Sequence, residues 1–250
     1  MVDPSGDGVR FRRPECPLPP AKPGERRLGD LVASEVDAST TLVIVGFPSD
    51  EGVRRNGGRA GAADGPPAIR NALWRMMPDP RLPEMAALLA RICDLGDLEV
   101  SGDLDRDQAA LGAALAPHVA AGRTVVVLGG GHETAYGTLL GHAGAGREVF
   151  IANLDAHPDV RPRREIDGVL RGHSGSPFRQ ALEHPSKACR GYAVAALQPS
   201  AVAAERLGGD PRVASLDVVE LSPPHDPDGR TARLAALTVW RFLRGWSGRA

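Results

Sequence analysis

Two short segments of the sequence carry residues that commonly bind metal ions. One reads Gly-Gly-Gly-His-Glu and places His132 directly after three glycines. The other reads Asp-Ala-His-Pro-Asp and places Asp155, His157 and Asp159 at alternate positions. Because the side chains of an extended chain repeat every two residues, these three should point to the same side. The spacing predicts two carboxylates and an imidazole around one point.

The ligand types in these segments favour manganese or a related ion. Carboxylate oxygens together with imidazole nitrogens suit such ions, whereas a structural zinc site would normally include thiolates. The glycines before His132 allow the backbone to turn sharply and to approach its neighbours closely. Taken singly, either segment could be an ordinary turn or solvated loop with an incidental histidine. Their joint occurrence, each after a predicted strand, favours a metal site.

The pattern of apolar residues predicts an α/β fold that positions both segments. Continuous apolar runs at 41–47, 124–128 and 148–154 are typical of strands buried on both faces. Because strands alternate with helices, the sheet should be mainly parallel, covered on both faces, with its site at the carboxyl ends of the strands. Further strands are predicted at 90–95, 191–198 and 213–221, helices at 68–77, 107–121, 134–143 and 231–243, and a glycine-rich loop at 52–67.

Length, charge and cysteine content limit the class of protein. A chain of 250 residues with 42% hydrophobic content suits one domain, predicted over residues 39–250 after an irregular arm at 1–38. The formal net charge of -1 gives no electrostatic footprint for nucleic acid or an anionic membrane. No apolar run reaches the ~20 residues of a membrane helix, and no secretory signal is recognisable. The dispersed cysteines fit free thiols in a reducing cytoplasm.

Both ligand segments resemble the first two signature motifs of the ureohydrolase family, which includes arginases, agmatinases and formimidoylglutamases. Residues 52–62 are similar to the N-terminal loop of that family, and residues 217–233 to its C-terminal strand and helix. The segment Gly-His-Ser-Gly-Ser-Pro-Phe-Arg-Gln at 172–180, together with Arg161, resembles the formimidoylglutamase branch more than the arginase branch. The resemblance covers most of the chain from Thr41 to Leu243.

The resemblance implies a fold, a cofactor and a reaction. The fold would be an arginase-like three-layer α/β/α sandwich, and a pair of Mn²⁺ ions would activate water for attack on an amidine carbon. His132 and Asp159 would bind one ion, His157 the other, and Asp155 would bridge both ions. The implied substrate is a small amidine, N-formimidoyl-L-glutamate, which is hydrolysed to L-glutamate and formamide in histidine degradation. The resemblance leaves open whether the protein forms a homo-oligomer.

Further side chains receive roles from the same resemblance. His173 would carry protons, because histidine has an ordinary pKa of ~6.5. Glu220 would hold the cationic amidine by a charge-assisted hydrogen bond. We add Arg161 and Arg179 as candidates for binding the substrate carboxylates, since arginine binds carboxylates with a two-pronged geometry. Each arginine could equally be an ordinary surface charge.

One family signature has no counterpart in this sequence. The third motif, S-x-D-x-D-x-x-D-P on a separate strand, supplies further metal ligands in the family. Here the predicted strand at 191–198 is followed too soon by the segment that contains Glu220. The segment Ser215-Leu-Asp217-Val-Val219 imitates the motif, but valine occupies the second aspartate position. We expect a fold shortened by an internal deletion of at least one strand–helix unit.

Several functions follow from this departure. With fewer carboxylates to screen closely spaced cations, we expect at most one tightly bound Mn²⁺ and slow hydrolysis of N-formimidoyl-L-glutamate. Asp217 as a substitute ligand is the less favoured alternative, because its segment matches the C-terminal motif. A hydrolase of agmatine or guanidinobutyrate is disfavoured by Arg161 and the segment at 172–180. An inactive relative of the family is a further alternative, which the missing motif supports.

Overall fold

The chain folds around a mainly parallel sheet that has helices on both faces. The computed structural model describes residues 9–13, 16, 18, 22–195 and 201–249. The remaining parts of the predicted arm at 1–38, of the predicted strand at 191–198 and of the predicted domain at 39–250 lie outside the described residues. Among the described residues, no helix combines the length and apolar character needed to cross a membrane.

The elements alternate along the chain much as the sequence predicts. The strands are β1 (Phe11–Arg12), β2 (Leu42–Phe47), β3 (Ile92–Leu98), β4 (Thr124–Gly129), β5 (Val149–Leu154), β6 (Arg164–Ile166), β7 (Val169–Arg171), β8 (Cys189–Ala195) and β9 (Ser215–Val218). The helices are α1 (Glu51–Arg55), α2 (Gly65–Leu73), α3 (Met85–Leu89), α4 (Leu104–Ala120), α5 (Thr134–Gly144), α6 (Pro177–Glu183), α7 (Ala201–Gly209) and α8 (Arg230–Trp246).

The main sheet contains five strands in the order β1-β3-β2-β4-β9. Strands β3, β2, β4 and β9 are parallel, and β1 at the edge is antiparallel to β3. Part of the N-terminal arm, predicted to be irregular, therefore contributes a short strand to the sheet. The predicted α/β fold with a mainly parallel sheet is confirmed.

Alternate side chains of β2 enter two different cores. Leu42 and Ile44 belong to a cluster with residues of α2 and α8, whereas Val43 and Val45 belong to a cluster with residues of α4. These four side chains are completely buried, which is the burial that a continuous apolar run predicts. The sheet is therefore the middle layer of three, and the carboxyl end of β4 is held rigidly between the two helical layers.

Several local elements differ from the prediction. Residues 52–67, predicted as a loop, contain most of α1 and the start of α2, where Pro66 occupies a first turn that needs no backbone N–H. The hairpin of β6 and β7 was not predicted, although Asp167 (φ 52°) and Gly168 (φ 75°) form the Asp-Gly turn that favours hairpins. Helices α3 and α6 are too short to show clear periodicity.

Strands β5 and β8 form a separate parallel sheet. The apolar run of β5 predicts burial on both faces, yet Phe150 is 67% exposed. Helix α5 contacts both sheets, because His142 Nε2 lies 3.1 Å from Ser215 Oγ of β9, and Leu139 packs against Ile151 of β5. Within the described residues, β9 and β5 each keep one edge without a paired strand. This gap supports the expected loss of a strand–helix unit.

Asp217 on β9 is half-buried, and its carboxyl group is shielded from solvent. Burial raises its pKa to about 6, although the Thr138 hydroxyl and the charge of His132 oppose that rise. Its Oδ1 atom is inaccessible to solvent and has no hydrogen-bond partner. Asp217 is also absent from the cluster of groups that could hold a metal ion among the described residues. These contacts give no support to Asp217 as a substitute ligand.

We expect Asp217→Asn to stabilise the protein, and more so at about pH 8 than at about pH 5. The folded-state pKa of about 6 exceeds the ordinary value of 3.8, so stability present at low pH is lost as the pH rises through about 6. The gain should be larger at the higher pH by on the order of 1 kcal/mol. Urea unfolding at both pH values measures this difference.

The matched control is Asp167→Asn, which removes the same charge in the exposed turn of the β6–β7 hairpin. It should change the free energy of unfolding equally at both pH values. A gain from Asp217→Asn that does not depend on pH would contradict the assignment of a destabilising buried carboxylate.

Candidate metal centre and its cavity

The carboxyl ends of β4 and β5 bring three of the predicted metal ligands together. His132 follows β4, and its Nδ1 lies 2.7 Å from Asp159 Oδ2 and 3.4 Å from Asp155 Oδ2. One potential ligand atom from each of the three residues lies within 4.8 Å of the others. The carboxyl ends of two parallel strands from different sheets thus deliver their ligands to one place.

His157 stands outside this cluster. Its side chain is 69% exposed, and its Nδ1 lies 3.5 Å from Asp155 Oδ1. The prediction that the side chains of Asp155, His157 and Asp159 point to the same side assumed an extended chain. However, β5 ends at Leu154, and Asp159 adopts a left-handed φ of 44°. The chain bends between these residues, so His157 lies on the wall of the site cavity. Its backbone N–H donates to Asp155 Oδ1 at 2.9 Å and fixes that carboxylate.

The charges of the cluster fit a cation. Burial alone would lower the pKa of His132, but the contact with Asp159 and the charges of Asp155 and Glu220 raise it above its ordinary value. The carboxylates of Asp155, Asp159 and Glu220 therefore favour a positive charge at the position of the buried imidazole. A divalent ion bound by the neutral ring would provide that charge and would displace its proton. The donor set fits Mn²⁺, which prefers carboxylate with imidazole.

Glu220 lies directly beside the cluster. Its Oε1 accepts a hydrogen bond of 2.7 Å from the backbone N–H of His132. Burial raises the pKa of Glu220, and that hydrogen bond partly offsets the rise. Both Glu220 (φ 64°) and Asp159 adopt left-handed backbone conformations, which cost about 1–2 kcal/mol for non-glycine residues. Such strain is typical of functional sites.

A buried chain of hydrogen bonds, which the sequence analysis did not identify, holds the loops around the site. Glu133 is completely buried, and its Oε1 accepts a hydrogen bond of 2.7 Å from the N–H of Gly52. The carbonyl of Gly52 accepts one from the N–H of Ser174 at 3.0 Å. Burial raises the pKa of Glu133 to about 8. A Cβ on Gly52 would lie 2.5 Å from Glu133 Cδ, so only glycine fits there.

His173 is buried within the neighbouring loop, with 1% of its surface exposed. Its Nδ1 accepts a hydrogen bond from the Gly175 N–H at 3.1 Å, and its Nε2 donates to the Pro162 carbonyl oxygen at 3.0 Å. Burial lowers the pKa of His173. Because both ring nitrogens bind the backbone, the neutral ring holds the loop in place. This geometry does not fit the proton-carrying role that the resemblance implies.

A cavity of about 550 Å³ opens above the cluster. Arg161 lines it, and its backbone N–H donates to the Gly175 carbonyl at 2.9 Å. Arg179 does not line it, because its Nε binds Glu183 Oε1 at 2.8 Å along helix α6. Of the two predicted arginines, the structure therefore places only Arg161 at the site. The cavity is lined by Val53, Asn56, Gly58, Arg59, His132, Asp155, His157, Asp159, Arg161, Ser174, Glu220, Leu221, Ser222, His225, Asp226 and Thr231.

The fold and the cluster define a class of α/β proteins with a candidate carboxylate–imidazole metal centre at the carboxyl ends of parallel strands. A sequence profile described as the arginase family matches residues 40–201 and 190–244. The chain belongs to the arginase family, and the resemblance to the ureohydrolases is confirmed. The two matched parts overlap at 190–201, where β8 ends and the deletion is expected.

Several relatives carry the name formimidoylglutamase. The one from Nocardia farcinica is 48% identical over 172 residues, which cover 66% of this chain and 50% of that protein. The one from Rhodococcus jostii is 46% identical over 167 residues, which cover 63% of this chain and 48% of that protein. The chain thus spans about half the length of these curated relatives.

Solved structures with the same fold include two proteins of that name. The Mn²⁺-containing formiminoglutamase of Trypanosoma cruzi has a TM-score of 0.77 and 26% identity, covering 90% of this chain and 100% of that one. The formimidoylglutamase of Bacillus subtilis has a TM-score of 0.73 at 18% identity, covering 93% and 96% of the two chains. The second likeness supports the fold alone.

We expect His132→Ala, Asp155→Ala and Asp159→Ala each to weaken Mn²⁺ binding by at least ~100-fold, more than the loss of an outer-shell partner. Each change removes one of three donors that face one point. Calorimetric titration of the metal-free protein with Mn²⁺ measures the affinity.

The matched control is His157→Ala, whose ring lies outside the cluster. This substitution should change the Mn²⁺ affinity by no more than about threefold, because His157 contributes none of the three donor atoms. An equal loss of affinity in His157→Ala would show that this ring, and not the described cluster alone, defines the tight site.

Proposed function

We propose that this chain is a shortened hydrolase of the formimidoylglutamase type. It would hydrolyse N-formimidoyl-L-glutamate to L-glutamate and formamide in a Mn²⁺-dependent step of histidine degradation in the cytoplasm. The observation that carries the proposal is the position of Arg161 in the same cavity as the cluster of His132, Asp155 and Asp159. An amidine that bears carboxylates needs such a cationic anchor apart from the metal ligands.

The proposed reaction distributes its roles over the residues of this cavity. Bound Mn²⁺ would supply polarisation of water and of the amidine, with His132, Asp155 and Asp159 as its ligands. The water oxygen adds to the amidine carbon, the bond from that carbon to the glutamate nitrogen breaks, and the nitrogen leaves protonated as an amine. Glu220 binds His132 through Oε1, so its Oε2 is available to hold the amidinium by a charge-assisted hydrogen bond.

The shortened chain should perform this reaction slowly. Three donors converge in the described residues, which is enough for one ion but leaves Asp155 as the sole carboxylate that could bridge a second. A nucleophile that is held without the second ion is poorly positioned. An error of ~1 Å in its position can lower the rate about 100-fold.

An inactive relative is the second candidate function. Two observations favour it. The ring of His173 has both nitrogens bound to the backbone, so it does not offer a proton acceptor to the cavity. The open edges of β5 and β9 expose the place from which further ligands would come.

We expect the purified chain, supplied with excess Mn²⁺, to release formamide from N-formimidoyl-L-glutamate at least ~100-fold more slowly than the Nocardia farcinica relative. Insertion of that relative's S-x-D-x-D strand–helix unit between Ala195 and Ala201 should restore much of the rate, because it supplies the absent carboxylates. Formamide release measured under saturating substrate tests both statements.

The control carries the same insertion with both aspartates changed to alanine, which restores the strand without its ligands. It should remain slow while unfolding as cooperatively as the active insertion. A normal rate in the original chain would contradict the need for the third motif. A folded but inactive insertion variant would contradict the proposed activity. Hydrolysis of agmatine that is faster than hydrolysis of N-formimidoyl-L-glutamate would contradict it as well.

A further inference from the structure

The loops around the cavity are rich in arginine, and most of these guanidinium groups already have carboxylate partners. Arg54 pairs with Asp50, and Arg55 pairs with Glu51. Arg171 binds an aspartate, and both Arg163 and Arg179 bind Glu183, while Arg164 donates to a backbone carbonyl. Their charges are therefore neutralised or committed to holding the loops.

Two arginines differ from this pattern. Arg59 and Arg161 line the cavity, and neither has a carboxylate partner among the described residues. Their charges instead face a space whose floor carries Asp155, Asp159 and Glu220. Cations left unpaired beside acidic groups can bind an anionic ligand, whereas the acidic floor suits a cation.

Arg161 is held in place before any ligand arrives. Asn56 contacts both Arg161 and Ser174. Its Oδ1 lies 3.4 Å from Arg161 Nη1, and its Nδ2 donates a hydrogen bond of 3.2 Å to Ser174 Oγ. The stem of Arg161 passes over Gly175, where a Cβ would lie 3.1 Å from Arg161 Cδ. These contacts restrict the guanidinium, so it loses less freedom on binding a carboxylate than an unrestrained arginine would.

Arg59 lies in a turn that the fold holds against the opposite loop. Gly57 (φ 77°) and Gly61 (φ 127°) allow the chain to reverse on either side of it. The Gly61 N–H donates to Asp50 Oδ2 at 2.6 Å, and a Cβ at Gly61 would lie 2.6 Å from Ser222 Oγ. The turn is therefore anchored at its end, while the Arg59 side chain remains exposed.

We propose that Arg59 and Arg161 form the carboxylate-binding subsite of this cavity, with Asn56 as the positioning residue for Arg161. The inference rests on the proposed function and specifies its substrate class as dicarboxylic amino-acid derivatives of glutamate size. It assigns to Arg59 the binding of a substrate carboxylate, the role for which the sequence analysis named Arg179. The same two charges disfavour cationic amidines that lack a carboxylate.

Binding of L-glutamate, the dicarboxylate product, tests the subsite independently of turnover. Calorimetric titration uses the full chain loaded with Mn²⁺. Arg59→Ala and Arg161→Ala should each weaken glutamate binding about tenfold or more, the usual effect of losing a charge-assisted hydrogen bond. The monocarboxylate 4-aminobutyrate should bind more weakly than glutamate. Arg179→Ala, which removes an arginine outside the cavity, should leave the glutamate affinity unchanged.

Asn56→Ala tests the positioning role. It should weaken glutamate binding about threefold in the original chain, but not further when combined with Arg161→Ala, because it acts through that side chain. Additive losses in the double variant would remove Asn56 from this role. Arg161→Lys should recover part of the affinity by restoring the charge.

The outcomes separate this inference from the proposed activity. Arginine-dependent glutamate binding without hydrolysis would keep the subsite and reject the hydrolase. Hydrolysis of N-formimidoyl-L-glutamate with the same KM in Arg59→Ala, Arg161→Ala and the original chain would keep the hydrolase and overturn the subsite. Equal loss of glutamate affinity in Arg179→Ala would also overturn it, as would the absence of glutamate binding at millimolar concentrations. Thermal unfolding of each variant confirms that it is folded.

Discussion

The contact of His132 with Asp155 and Asp159 joins the end of β4 to the end of β5. No strand pairing within the described residues connects the main sheet to the sheet of β5 and β8. Helix α5 contacts both sheets, and the loops around the site are joined by hydrogen bonds such as that from the Ser174 N–H to the Gly52 carbonyl. These three ionisable side chains therefore form a direct link between the two sheets, and they are the same side chains that form the candidate metal centre.

This arrangement couples metal binding to the integrity of the fold. An ion held by residues from both sheets favours the folded state by its binding free energy, because the site does not exist in the unfolded chain. Without the ion, the contact with Asp159 and the charges of Asp155 and Glu220 raise the pKa of His132. The open edges of β5 and β9, with Phe150 exposed beside them, present the unpaired backbone that promotes association between chains.

The sequence predicts the central sheet and the three clustered ligands because both depend on local information. Apolar runs identify β2 and β4, and ligands that directly follow buried strands must meet at one edge.

The position of His157 could not be predicted, because it depends on a bend that includes the left-handed Asp159. The burial of His173 and the pairing of Arg179 with Glu183 depend on how distant loops and one short helix are packed. Glu133 gains its importance from a contact with Gly52, far along the chain, and Arg59 from a cavity that it shares with distant residues. The apolar pattern of β5 cannot show that one of its faces is uncovered.

The central claim is that the chain retains a one-ion centre that links its two sheets. A crystal of the chain grown with Mn²⁺ and measured at the manganese absorption edge locates each ion directly by anomalous scattering. The account predicts one fully occupied position, with His132, Asp155 and Asp159 at about 2.0–2.4 Å as for hard divalent cations. Two fully occupied positions, or a single ion bound by Asp217 instead of this cluster, would contradict it.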